Sequence, residues 1–108
     1  MRQYEIWWAD LPFPVGRRPV LLLTRSAAYK YLNKAIVAEI TTTIRGIPQE
    51  VPVGEDEGLE PSVVNCDNIH VVAKQLLTSR VGALGTLRVR EVKRALGYAL
   101  DWPELKKV

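Results

Sequence analysis

The chain reads as a mainly β domain, a small twisted barrel or sandwich with one helix packed near its C-terminus. Three observations predict this. Roughly five to seven short runs of β-branched, aromatic and aliphatic residues recur along the sequence. Turn-forming Gly, Pro, Asn and Asp punctuate them about every ten residues. One late segment carries apolar residues at helical spacing.

The elements follow in order. QYEIWWA (3–9) is aromatic and branched, and DLPFPVG ends it with prolines and a glycine that break any ladder. PVLLLT (19–24) is a continuous apolar run, as expected of a strand buried on both faces. SAAYKYLN (26–33) is good helix material, enough for one or two turns. AIVAEITTT (35–43) is strand-like, with its polar residues late in the run. IRGIP (44–48) is a loop, followed by the short strand EVPV and the acidic turn GEDEG. SVVNC (62–66) and NIHVVA (68–73) read as two further strands around Asp67. KQLLTSRVGAL then supplies a turn of helix and a small strand. RVREVKRALGYAL (88–100) places Val89, Val92, Leu96 and Ala99 on one helical face with basic residues opposite.

At 108 residues the chain is expected to be a single domain over residues 1–108, small enough that dimerisation would help it bury surface. No apolar run is long enough for a membrane span and no secretory leader opens the chain, so a cytoplasmic protein is expected. Cys66 is the single cysteine and His70 the single histidine. An internal disulfide is excluded, no metal site is expected, and a two-histidine ribonuclease mechanism is out. The net charge of +3 leans weakly toward an anionic partner.

Chemistry-bearing residues concentrate in a few places. Strand alternation sends Glu39, Thr41 and Thr43 to one face and Ala38, Ile40 and Thr42 to the other. Glu39 and Thr41 then share a polar face, which is either a solvated sheet surface or part of a site. Arg18 precedes Pro19, which holds it extended and aims it at the start of a strand. Its guanidinium fits phosphate oxygens bidentately and would stabilise charge developing on a scissile phosphate. A surface arginine beside a strand is the plainer alternative, and it applies equally to Arg45 in its loop. The polar run Cys66–Asp67–Asn68 either reads base edges or makes a tight Asx-type turn. Trp7 and Trp8 must face opposite ways, one toward the core and one toward an interface. His70 and Cys66 read as structural, because nothing in the sequence pairs with them.

Taken in order, IWWADLP, GRRPVLLLT, AIVAEITTTIRGIPQEVPVG, GLEPSVVNCDNIHVV, LTSRVGAL and the terminal helix resemble the MazF/PemK-like (Kid-type) toxins of prokaryotic toxin–antitoxin pairs. The resemblance runs from about Tyr4 to Leu100, and the ordered set of motifs carries it rather than any one of them. It implies an SH3-like barrel of the CcdB/PemK type with a C-terminal helix, acting as a homodimer without cofactor or metal. It further implies a sequence-selective endoribonuclease on single-stranded RNA, in which the ribose 2′-hydroxyl attacks to leave a 2′,3′-cyclic phosphate and a 5′-hydroxyl. By the same resemblance Arg18 and Thr41 match the family's catalytic arginine and hydroxyl residue. Arg17, Arg45 and Asn68 fall near its RNA groove, and an antitoxin protein covers that groove.

One departure stands out. Many relatives carry a longer first loop whose glutamate has been proposed as general base; here that loop is cut to PFPVG and the glutamate is missing. Glu39, two residues from Thr41, is the candidate accessory base in its place. Two alternatives accompany the ribonuclease expectation. The same barrel serves CcdB-like gyrase poisons, whose C-terminal tryptophan Trp102 distantly echoes. A catalytically weak relative that only binds RNA or antitoxin is the other.

Overall fold

The computed structural model describes residues 1–108. Six strands are present: β1 (Glu5–Asp10), β2 (Arg17–Leu22), β3 (Lys34–Thr41), β4 (Glu50–Val53), β5 (Ser62–Ala73) and β6 (Leu77–Ala83). Helix α1 spans Thr86–Ala99 and a short α2 spans Pro103–Lys106. The strands form one antiparallel sheet in the order β4-β5-β3-β2-β1-β6. It curls so that the turn after β4 meets β6, a half-barrel closed by α1, as the sequence predicts.

Both faces of the sheet are covered. Ile6, Leu21, Ala38, Ile40, Val64 and Cys66 form one core with Val92 and Ala95 of α1. Ala9, Val20, Leu22, Val37, Val72 and Leu77 form a second core on the opposite face. Val20, Leu21 and Leu22 are therefore fully buried in succession, which explains why that run lacks alternation. Burial pushes the Cys66 thiol up to about 12, so it stays a neutral apolar residue of the core.

Several boundaries differ from expectation. β2 begins at Arg17, so both arginines lie within the strand rather than before it. SAAYKYLN yields only a 3-10 turn at Ser26–Lys30, since nothing extends its apolar face into a full helix. Thr42 and Thr43 lie past the end of β3. The two strands expected around Asp67 are one continuous β5, interrupted by a bulge. On β5 the pairing jumps from Ala38↔Ile69 to Glu39↔Asn65, leaving Cys66, Asp67 and Asn68 out of register. The helix starts two residues earlier than read, and Ala95 joins its buried face. The second helix, α2, escapes the sequence reading because it is a single turn opened by Pro103.

The edges are built differently from the centre. β4 is short and carries Pro52, exposed, in its middle. At β6, a Cβ on Gly82 would come within 2.6 Å of the Glu57 carbonyl oxygen, so the close meeting of turn and strand requires glycine. Gly82→Ala is expected to destabilise the fold by about 1–3 kcal/mol, read from the midpoint of urea unfolding.

Glu5 ties β1 to β6. Its carboxylate accepts hydrogen bonds from Arg80 Nε at 2.8 Å, from Trp7 Nε1 at 3.2 Å and from the Arg2 backbone at 2.8 Å. Burial raises its pKa, but those hydrogen bonds and the Arg80 charge together outweigh it and leave the group below its ordinary 4.5. A depressed folded pKa stabilises above the unfolded value and loses that contribution as pH falls through the folded one. Wild-type protein should therefore lose stability on acidification below 4.5. Glu5→Gln should be weaker at neutral pH and should lose less on acidification, as seen in urea midpoints measured across pH.

Candidate active site

Where β2 begins and β3 ends, the curled sheet leaves an open cleft of about 480 Å³. Its walls come from three regions. Arg17, Arg18 and Pro19 of β2 and Trp8 of the adjacent β1 form one side. Ile40 and Thr41 of β3, with Thr42 just beyond, form the floor. Gly58, Leu59, Glu60 and Ser62, leading into β5, form the other side. Its volume suits a single nucleotide-sized ligand.

Arg18 is the anchored cation. Its Nη1 donates to Glu39 Oε1 at 2.8 Å, while a third of the side chain stays exposed. A guanidinium has five N–H donors, so this bond fixes the fork and leaves other donors unused. The other Glu39 oxygen, Oε2, meets His70 Nε2. Cross-strand pairing explains the trio: Val20 faces Glu39, Val37 faces His70, and two-residue alternation brings Arg18 and Glu39 to the same side.

Glu39 is therefore not on a solvated face, and each of its oxygens already has a side-chain partner. Its side chain is 6% exposed, both carboxylate oxygens are engaged, and it does not line the cleft. Sequence reasoning placed it on the correct face beside Thr41 but missed the second core that buries that face. His70, read as unpaired, has Glu39 as its partner. A pairing between residues 31 apart is visible only once the β3–β5 register is known.

Thr41 is poised as a donor. Its Oγ1 accepts the backbone N–H of Thr43 at 3.1 Å, a local ST turn that fixes the hydroxyl as the strand ends. The hydroxyl hydrogen has no partner within the chain. Arg17 stacks over the Trp8 ring, 4.5 Å from its centroid, so the second arginine contributes charge on an aromatic platform. Trp7 packs against the second core, as the alternation of the two tryptophans requires.

Two expected groove residues lie elsewhere. Arg45 is in the exposed loop after β3, where its backbone N–H and that of Gly46 donate to Glu50 Oε1, each at 2.9 Å. Asn68 projects from the β5 bulge and is exposed. Neither lines the cleft. Trp8, Glu60 and Ser62 do line it without having been picked out as site residues; the alternation of Trp8 with Trp7 was the one signal available.

Glu39→Ala leaves Arg18 without its partner and should cost about 1–3 kcal/mol, less than a fully buried pair because Arg18 is partly solvated. Glu39→Gln keeps one acceptor and should cost less. Urea unfolding of the two variants checks the order.

A family model described as PemK-like, MazF-like toxin of type II toxin–antitoxin systems matches residues 2–100. The chain is 41% identical over 99 residues to the probable endoribonuclease MazF5 of Mycobacterium tuberculosis, covering 90% of each. Among solved structures, the Mycobacterium tuberculosis toxin MazF-mt6 superposes with a TM-score of 0.84 at 40% identity, covering 90% of this chain and 96% of that one. An endoribonuclease in complex with its cognate antitoxin, from a mycobacterial species, superposes with a TM-score of 0.85 at 27% identity, covering 95% and 97%.

Proposed function

The chain belongs to the PemK-like, MazF-like toxins of type II toxin–antitoxin systems, and from that premise we propose that it is a sequence-selective endoribonuclease that cuts single-stranded RNA at the cleft. The observation that carries this reading is the convergence of Arg18 and Thr41, from different strands, on one cleft of nucleotide size.

The chemistry needs little from the protein, because RNA supplies its own nucleophile. The ribose 2′-oxygen attacks the adjacent phosphorus, the bond from phosphorus to the 5′-oxygen breaks, and a 2′,3′-cyclic phosphate and a 5′-hydroxyl result. Negative charge grows on the equatorial oxygens of the phosphorus during attack. Arg18, already aimed by Glu39 and Pro19, meets that charge with charge-assisted hydrogen bonds. The Thr41 hydroxyl donates to a phosphate oxygen, while Arg17 on Trp8 holds a neighbouring phosphate. Preset donors avoid reorganisation during the reaction, which is the main source of such catalysis.

The protein acts as a homodimer and is silenced by a cognate antitoxin. Leu32, Ile36 and Val71, exposed and apolar beside the β3–β5 pairing, offer a patch a second copy would cover. An acidic antitoxin segment that folds on binding would find Arg17 and Arg18 in the cleft. No helix is long and apolar enough to cross a membrane, and action on mRNA would place the protein in the cytoplasm. The family match favours this reading over a gyrase poison.

Purified protein incubated with a long RNA in excess EDTA should give discrete cuts with cyclic-phosphate and 5′-hydroxyl ends. Arg18→Ala should lower the rate by about 10²–10³-fold and Thr41→Ala by about tenfold or more, with the dimer intact. Cutting by Arg18→Ala at the wild-type rate sinks the assignment.

A further inference from the structure

The attacking 2′-hydroxyl must lose a proton, and neither Arg18 nor Thr41 is placed to take it. A guanidinium has no acceptor, and the Thr41 oxygen already accepts a backbone N–H. His70 stands behind Glu39 and does not line the cleft. Glu39 has both oxygens occupied.

The remaining carboxylates sort cleanly. Glu5, Glu50 and Glu57 are buried, each engaged by backbone or side-chain N–H groups. Glu60 is the one acidic residue among those lining the cleft. It is exposed, and its carboxylate takes part in no hydrogen bond or ion pair. Its backbone, by contrast, is held. Leu59 packs against the first core, Pro61 restricts Glu60 to extended conformations, and the buried Ser62 Oγ donates to the Glu60 carbonyl at 2.8 Å. Arg18 precedes Pro19 in the same way, so each of these charged residues has its backbone held extended by a following proline.

We propose that Glu60 is the general base that takes the 2′-hydroxyl proton, across the cleft from Arg18. The assignment rests on the ribonuclease reading and completes its proton balance. The 2′-oxygen forms its bond to phosphorus as its proton passes to the Glu60 carboxylate. The departing 5′-oxygen then leaves with a proton drawn from solvent, and Glu60 returns its own proton to water. Glu60 thus supplies from the second wall the function that a longer first loop would bring from the first. The cleft is lined both by a cation suited to phosphate charge and by a carboxylate free to take a proton.

The test uses a synthetic oligoribonucleotide carrying the cut site mapped in the long RNA. A matched oligonucleotide with 2′-deoxyribose at that site measures binding without cleavage. Glu60→Gln should lower single-turnover cleavage by about 10²–10³-fold while binding the deoxy oligonucleotide as the wild type does. Glu60→Ala should regain rate with added formate in proportion to its concentration, whereas Arg18→Ala should not. Cleavage by Glu60→Gln within a few-fold of wild type, a loss confined to binding, or no response of Glu60→Ala to formate each overturns the assignment. Failure of wild-type protein to cut RNA at all overturns the ribonuclease reading instead, and the base assignment falls with it.

Discussion

The site depends on one buried carboxylate. Glu39 sits at the edge of the second core, where an unpaired charge would be costly, and it is held there by Arg18 on one side and His70 on the other. The pairing works in both directions. The arginine makes the buried carboxylate tolerable, and the carboxylate makes a long, flexible cation point one way. Without it Arg18 would sample many rotamers, and its preorganisation toward a phosphate would be lost.

Beside that arrangement lies the bulge in β5. With a regular ladder, the strand would keep its register past Ile69, and the Glu39 edge would not face Asn65. The three residues left out of register let one long strand serve two parts of the sheet. Its first half pairs with β4 and the end of β3, near the cleft; its second half carries His70 to the back of Glu39. Asn65 Oδ1 accepts the Asp67 N–H at 3.0 Å, so a short polar side chain satisfies part of the backbone the bulge frees. The CDN run is thus first a structural device.

Much of the fold was legible in the sequence because strand content rests on local chemistry: branched residues, turn signals and period. Arg18 and Thr41, singled out through the family resemblance, both line the cleft. What escaped was long-range. The environment of Glu39 depends on a second core assembled from five strands, and alternation alone cannot tell a solvated face from a covered one. His70 looked idle because its partner lies 31 residues away, on a neighbouring strand. Glu60 sat in a segment, GLEPS, that reads only as a turn; nothing local says that the curl of the sheet sets it opposite Arg18. Arg45 and Asn68, polar residues near the motifs in sequence, do not line the cleft.

The proline in β4 bears on how this protein meets others. A sheet that ends in an open strand invites any extended peptide to continue the ladder. Here the outer strand is only four residues long, and Pro52, with no N–H to give, interrupts its outward row of donors. Polymerisation through that border is disfavoured. Recognition is directed instead to side chains, on the apolar β3–β5 surface and in the charged cleft, where a partner is chosen by its chemistry rather than by main-chain pairing open to any sequence.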